Sequence, residues 1–248
     1  MKLIHIHTER NSVLSKDNEY TQMQRLFYDT TADEMAVENH RGHDSSPDYY
    51  GLLLSDIDKN FNGKKALDFG CGIGRNVDNL LNLAEWDRVD GCDISSENIK
   101  RATEFMKQTS HLSSKYKFYT TTGVDLEPIV SNEYDFVMST IVLQHIAIYS
   151  IRYSILSDIY RVMSNDSLFS FQMSCHGKGK YRDEDFSIEG TNGVHDVAVA
   201  NPQDLIDDLT KIGFSNVTYS ISNEWDAAGK QYSSDDYKWI YVKARKCL

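Results

Sequence analysis

The chain has 248 residues, 40% of them hydrophobic and 25% charged, with 14 Gly and 3 Pro. That balance argues against a disordered, collagenous or membrane protein, and the length suits one α/β domain with appended segments. Lys plus Arg number 26 against 37 Asp plus Glu, a net charge of −11 with no basic run; because nucleic-acid binding draws on phosphate neutralisation, DNA and RNA are not expected partners.

The opening MKLIHIHTER lacks the apolar stretch of a signal peptide, and no apolar run is long enough to span a membrane, so the expected location is cytoplasmic. Residues 1–60 are expected to form an N-terminal helical cap on a domain covering 61–248. Tyr20, Met23, Leu26 and Phe27 fall at helical spacing. Thr31-Ala32-Asp33-Glu34 has the form of a capping box opening a new helix.

From Lys64 onward, short apolar runs alternate with amphipathic segments, the pattern of βα units around a parallel sheet. Strands are predicted at 66–69, 88–93, 117–121, 134–139 and 168–173. Between them Val77, Leu80, Leu81 and Ala84 share a helical face, as do Ile99, Ala102 and Met106, and then Ile151, Ile155, Ile159 and Val162. Asn201-Pro202 starts another helix, with Leu205, Leu209 and Ile212 on one face and Gly213 as its stop. A final strand pair is predicted at 216–222 and 239–245. The polar, glycine-containing connection 175–200 exceeds ordinary loop length and reads either as a lid-like insertion or as a surface insertion. Cys71, Cys92, Cys175 and Cys247 form no C-x-x-C pair and read as small apolar fillers. His5-Ile6-His7 has no third ligand, so no metal is expected.

Leu67-Asp68-Phe69-Gly70-Cys71-Gly72-Ile73-Gly74-Arg75 leaves a predicted strand and opens a predicted helix, where glycines let the backbone approach a ligand. The spacing is G-x-G-x-G, with Arg75 where the dinucleotide fingerprint needs its last glycine, so a nicotinamide cofactor fits poorly. An acid followed by this loop resembles the first motif of the class I S-adenosylmethionine-dependent methyltransferases. The resemblance continues through Val89-Asp90-Gly91-Cys92-Asp93-Ile94-Ser95, Gly123-Val124-Asp125-Leu126, Tyr134-Asp135-Phe136-Val137-Met138-Ser139 with Thr140 to Ile146, and Arg161 to Phe169, where Ser167 replaces the usual glycine.

That resemblance implies a doubly wound, seven-stranded, mostly parallel sheet with its last strand antiparallel, and S-adenosylmethionine as cofactor. It implies cofactor contacts from Asp68, Gly70, Cys71, Gly72 and Gly74, ribose contacts from Asp93 with Ile94 beside it, adenine contacts from Asp125 and the Leu126 backbone, and a contact from Thr140. His145 follows the fourth strand and His176 the fifth, the end of an open α/β sheet where ligands bind, so both are candidate general bases. His40, His43 and His195 are weaker candidates. The expected reaction is O-methylation of a small polar metabolite or sugar, nucleotide-linked sugars included, by a monomer or homodimer. N- or C-methylation, or binding of S-adenosylmethionine without catalysis, are the alternatives.

Overall fold

The computed structural model describes residues 18–40, 47–184, 197–222 and 238–247. Its strands are β1 (Lys65–Phe69), β2 (Arg88–Asp93), β3 (Tyr116–Thr120), β4 (Tyr134–Ser139), β5 (Met163–Cys175), β6 (Ser215–Ser222) and β7 (Lys238–Lys246). They form one seven-stranded sheet in the order β3-β2-β1-β4-β5-β7-β6. The β1–β2, β1–β4, β2–β3 and β4–β5 pairs are parallel, while β7 runs antiparallel to both β5 and β6.

The reason the central strands read as continuous apolar runs is burial on both faces. In β1, Leu67 and Phe69 point into one core layer and Ala66 into the other; in β4, Val137 opposes Phe136 and Met138 in the same way. The edge strands β3 and β6 are only partly covered.

The helices are α1 (Glu19–His40), α2 (Pro47–Leu54), α3 (Arg75–Leu83), α4 (Ser96–Met106), α5 (Tyr149–Val162) and α6 (Pro202–Ile212). Ile151, Ile155, Ile159 and Val162 of α5 join Leu205 and Leu209 of α6 in one layer, and Leu53 of α2 joins Val77 and Leu80 of α3 in the other. The start of α6 follows its sequence signal, with Asn201 Oδ1 accepting from the Gln203 N–H ahead of Pro202 at the first turn, and α4 is capped by Ser95, whose Oγ accepts from the Asn98 N–H.

The Thr31 capping box is not realised. Helix α1 runs unbroken through it, and the Thr31 hydroxyl donates back to the Phe27 carbonyl at 2.9 Å. A threonine caps a helix only where the preceding chain leaves helical geometry; here the preceding turn is already helical and offers its own carbonyl. The two N-terminal helices also serve different places: α1 packs on α4, whereas α2 packs on β5 and β7, where Ser170 Oγ donates to the Leu53 carbonyl at 2.7 Å.

The fifth strand begins earlier than the predicted 168, so the position of the missing glycine lies inside β5 and the departure is absorbed locally. Asp166 takes the left-handed backbone at φ 59, and Ser167 behind it donates to the Ser164 carbonyl at 2.5 Å. The described ends of the 175–200 connection are docked rather than loose: the Val199 N–H donates to Ser174, His176 to Val199, Val197 to Gln144 and Tyr149 to Asp183. Its tip, with His195, lies outside the described residues, as do His5, His7, His43 and the side chain of His40. Arg182 in that segment faces Asp204 and Asp208 of α6, each at 3.3 Å. Cys71, Cys92 and Cys175 are buried fillers as expected, whereas Cys247 is exposed beyond the end of β7.

Candidate functional site

Beyond β1 the chain turns through Gly70, whose φ of 74 suits glycine, and a Cβ there would stand 2.2 Å from Val142 Cγ2. The N–H groups of Gly70 and Cys71 both donate to the Cys92 carbonyl, pinning the loop to the end of β2. Gly72 donates to Asp93 Oδ2 at 3.0 Å, and Ser95 N–H donates to Asp93 Oδ1 at 2.9 Å. Asp93 is therefore aimed by the glycine loop on one side and by the start of α4 on the other. Burial pushes its carboxyl pKa up, and those two N–H groups pull it back.

Asp68 stands behind the loop, fully buried, with the Asn76 amide as its polar neighbour. Burial pushes its pKa up to about 7; Arg75 opposes that shift and the Asp93 charge adds to it. Cys71 beside them is pushed well up by burial and stays a thiol.

These groups line or back a cavity of about 350 Å³ at the carboxyl ends of β1, β2, β3 and β4. Of the residues singled out by sequence, Gly70, Cys71, Gly72, Asp93, Ile94, Asp125, Thr140 and His145 lie on its wall. Thr140 is held there by the Asn76 amide, which donates to its hydroxyl at 3.0 Å. Asp125 is oriented by the Thr122 hydroxyl at 2.6 Å.

Asp68, Gly74, Leu126 and His176 are not on that wall. Gly74 instead allows α3 to approach α4, since a Cβ there would meet Ala102 at 3.2 Å. The Leu126 N–H, expected at an adenine nitrogen, donates to Asp158 Oδ2 at 2.6 Å, because Arg161 holds that carboxylate against the turn. His176 begins the docked connection after β5, its N–H on the Val199 carbonyl.

Helix α1, from the segment expected to form a helical cap, roofs the cavity with Tyr20, Thr21, Gln24, Phe27 and Tyr28. Of the four residues grouped by helical spacing, Tyr20 and Phe27 reach the wall, whereas Leu26 is exposed. Three ties hold the helix down: Tyr20 on the loop after β4, Arg25 on the Thr122 carbonyl at 3.1 Å, and Asp29 on the Ser95 hydroxyl at 2.6 Å. Ile141, also on the wall, has φ 57. Among the described residues no three His, Cys, Asp or Glu side chains are grouped to hold a metal, and no helix is long and apolar enough to cross a membrane.

Residues 67–171 match a family model described as a methyltransferase domain. A protein of undescribed activity from Haemophilus influenzae is 24% identical over 174 residues, covering 68% of this chain and 62% of that one. Among solved structures, phosphoethanolamine N-methyltransferase 2 of Haemonchus contortus, determined with phosphomonomethylethanolamine and S-adenosylhomocysteine, superposes with a TM-score of 0.62 at 18% identity, over 80% of this chain and 52% of that one. Geranyl diphosphate C-methyltransferase of Streptomyces coelicolor, with Mg²⁺, geranyl diphosphate and S-adenosylhomocysteine, gives 0.60 at 9% identity over 79% and 77% of the two chains. The [4+2]-cyclase SpnF gives 0.62 at 16% identity, over 79% and 80%. The chain thus spans less than two thirds of the curated relative and about half of the Haemonchus enzyme. Residues 67–171 resemble a methyltransferase domain, and the chain around them has the class I methyltransferase fold.

Proposed function

We propose that the chain binds S-adenosylmethionine in this cavity and transfers its methyl group to oxygen on a small molecule. The observation that carries the reading is the Asp93 carboxylate, buried, on the cavity wall and aimed by Gly72 and Ser95. Two carboxylate oxygens suit a vicinal diol such as a ribose. The buried Asp93 fits the cofactor's charge as well: its carboxylate gives the glycine-loop end a negative field in low dielectric, matched to a sulfonium, and Asp68 behind it adds charge only as pH rises through about 7. Arg75, on the same wall, suits a carboxylate.

S-adenosylmethionine, when bound, supplies an electrophilic methyl group on sulfur. The protein's part is to hold an acceptor in line with it and exclude water, which α1 does as a roof tied to β2, β3 and β4. His145 would serve as the base that takes the proton of an acceptor hydroxyl held in line with the methyl group that the cofactor would supply. His176, away from the wall, is not given that role.

Calorimetric titration with S-adenosylmethionine and S-adenosylhomocysteine tests the reading. Wild type should bind both, and Asp93→Ala should weaken each at least tenfold, about 1.4 kcal/mol. No binding to wild type would reassign the glycine loop to another ligand. SpnF shares the fold and is named for a cyclisation, so binding without transfer across an acceptor panel would favour a non-catalytic or differently employed cofactor site.

A further inference from the structure

Helix α4 turns one face inward, and along it Asn98, Ala102 and Met106 are buried. Asn98, in the first turn, breaks an otherwise apolar face: it is 2% exposed and lies on the cavity wall with Asp93. Its backbone is fixed by the cap, since the Asn98 N–H donates to Ser95 Oγ at 3.0 Å while the Ser95 hydroxyl donates to Asp29 of the roof helix. Its amide is oriented as well. Nδ2 points at Asp93 Oδ1, 3.4 Å away, and a reversed amide would set one acceptor against another. That leaves Oδ1 on the other side of the amide, where no donor among the described residues reaches it. A buried amide oxygen without a donor is unfavourable for folding, and an apolar side chain would serve the core better.

The same geometry limits what Asp93 can do alone. A carboxylate offers about four lone-pair sites. On Asp93, Oδ1 faces the Ser95 N–H at 2.9 Å and the Asn98 amide, and Oδ2 faces the Gly72 N–H at 3.0 Å. Roughly one acceptor site is left, on Oδ2, whereas a vicinal diol brings two O–H donors. The acceptor still needed is the one that Asn98 leaves open beside it.

We propose that Asn98 is a second diol-binding residue, its Oδ1 accepting from one ribose hydroxyl while Asp93 Oδ2 accepts from the other, so that the site demands both hydroxyls of its cofactor. The inference rests on the cofactor assignment above and divides the ribose between two side chains. A cofactor lacking either hydroxyl leaves a buried acceptor unpaired. One with a phosphate in place of a hydroxyl brings negative charge against the buried Asp93.

Calorimetry on the full chain tests it, with S-adenosylhomocysteine and its 2′-deoxy and 3′-deoxy analogues as probes. Wild type should lose roughly fivefold in affinity with each analogue. In Asn98→Leu, S-adenosylhomocysteine should weaken by a similar factor, and one of the two analogues should now bind as tightly as the parent, because the acceptor for that hydroxyl is gone. The other should keep its full penalty, which Asp93 still imposes. A side chain that merely props the carboxylate would lower all three affinities together and leave both penalties at their wild-type size. That result overturns the proposal, as does an unchanged affinity in the variant or wild-type indifference to either hydroxyl. Asn98→Ala gives the same comparison with a smaller side chain if the leucine variant melts early. Failure of S-adenosylhomocysteine to bind wild type overturns the cofactor reading and this inference with it, whereas binding with the wrong pattern of penalties overturns this inference alone.

Discussion

Tyr20 holds His145 by the backbone: its hydroxyl donates to the His145 carbonyl at 3.0 Å and accepts from the Ala147 N–H at 2.6 Å. A phenol on the roof helix thus sets the position of the candidate base across the cavity. Burial raises the Tyr20 pKa, so the hydroxyl remains a donor throughout the working range. Tyr20→Phe removes both bonds and leaves an N–H and a carbonyl unpaired, which should cost about 1–3 kcal/mol in urea unfolding. Turnover should fall by a larger factor than S-adenosylhomocysteine affinity, because the substitution acts on the loop of His145 and not on Asp93. Unaltered stability and turnover would mean that the loop is held by other contacts.

The pH dependence of stability should carry the mark of Asp68. Its carboxyl pKa, ordinarily 3.8, is pushed to about 7 by burial, with Arg75 opposing and Asp93 reinforcing the shift. A carboxyl whose pKa is higher folded than unfolded stabilises the fold below its unfolded pKa, and that contribution is lost as pH rises towards 7. Above pH 7 the buried charge is a full penalty, on the order of a few kcal/mol. Asp68→Asn should therefore melt higher than wild type at pH 8, with the advantage shrinking steadily towards pH 4. A constant difference between the two proteins across that range would show that Asp68 does not titrate there.

What could be read from sequence was what neighbouring residues decide together. The glycine loop, Asp93 and the Asn201 cap lie within short stretches whose geometry follows from local spacing, and the parallel strands announced themselves by apolar runs. A helical cap was expected, but its partner in the site could not be read, because Tyr20 and His145 meet through tertiary packing over 125 positions. Leu126 was misplaced for the same reason: Asp158, which takes its N–H, lies 32 residues further on. Thr31 shows the opposite failure, a correct local pattern made irrelevant by a helix that had already begun. Ile141 was the least visible of all, since nothing about a β-branched residue suggests left-handed backbone.

Gly70 and Gly72 should respond differently to alanine. Both have positive φ, which costs a non-glycine residue about 1–2 kcal/mol. At Gly72 nothing lies within 4 Å of an added Cβ, so that cost is all that urea unfolding should register. At Gly70 the Cβ would stand 2.2 Å from Val142, and the loop or the chain after β4 must shift. Gly70→Ala should thus lose clearly more stability than Gly72→Ala. Equal losses would show that Val142 yields freely.

Arg152 ties the two segments that flank the sheet's carboxyl end. Fully buried in α5, its guanidinium donates to the carbonyls of Ile146 and Ala147 after β4 and to that of Tyr181 after β5. Its charge also lies over the Tyr181 ring, 4.8 Å from the centroid. Burial lowers its pKa, a sign of the desolvation that these carbonyls and rings must offset. A lysine carries the charge but not the planar fork that reaches both segments. Each lost charged hydrogen bond is worth about 1.5–3 kcal/mol, so Arg152→Lys should destabilise the fold by on the order of 3 kcal/mol. Arg152→Met, which removes the buried charge but leaves the same carbonyls unpaired, separates the two costs: if it proves the milder change, desolvation of the ammonium dominates, and if both variants unfold at the wild-type urea midpoint, the guanidinium does not bridge the segments in solution.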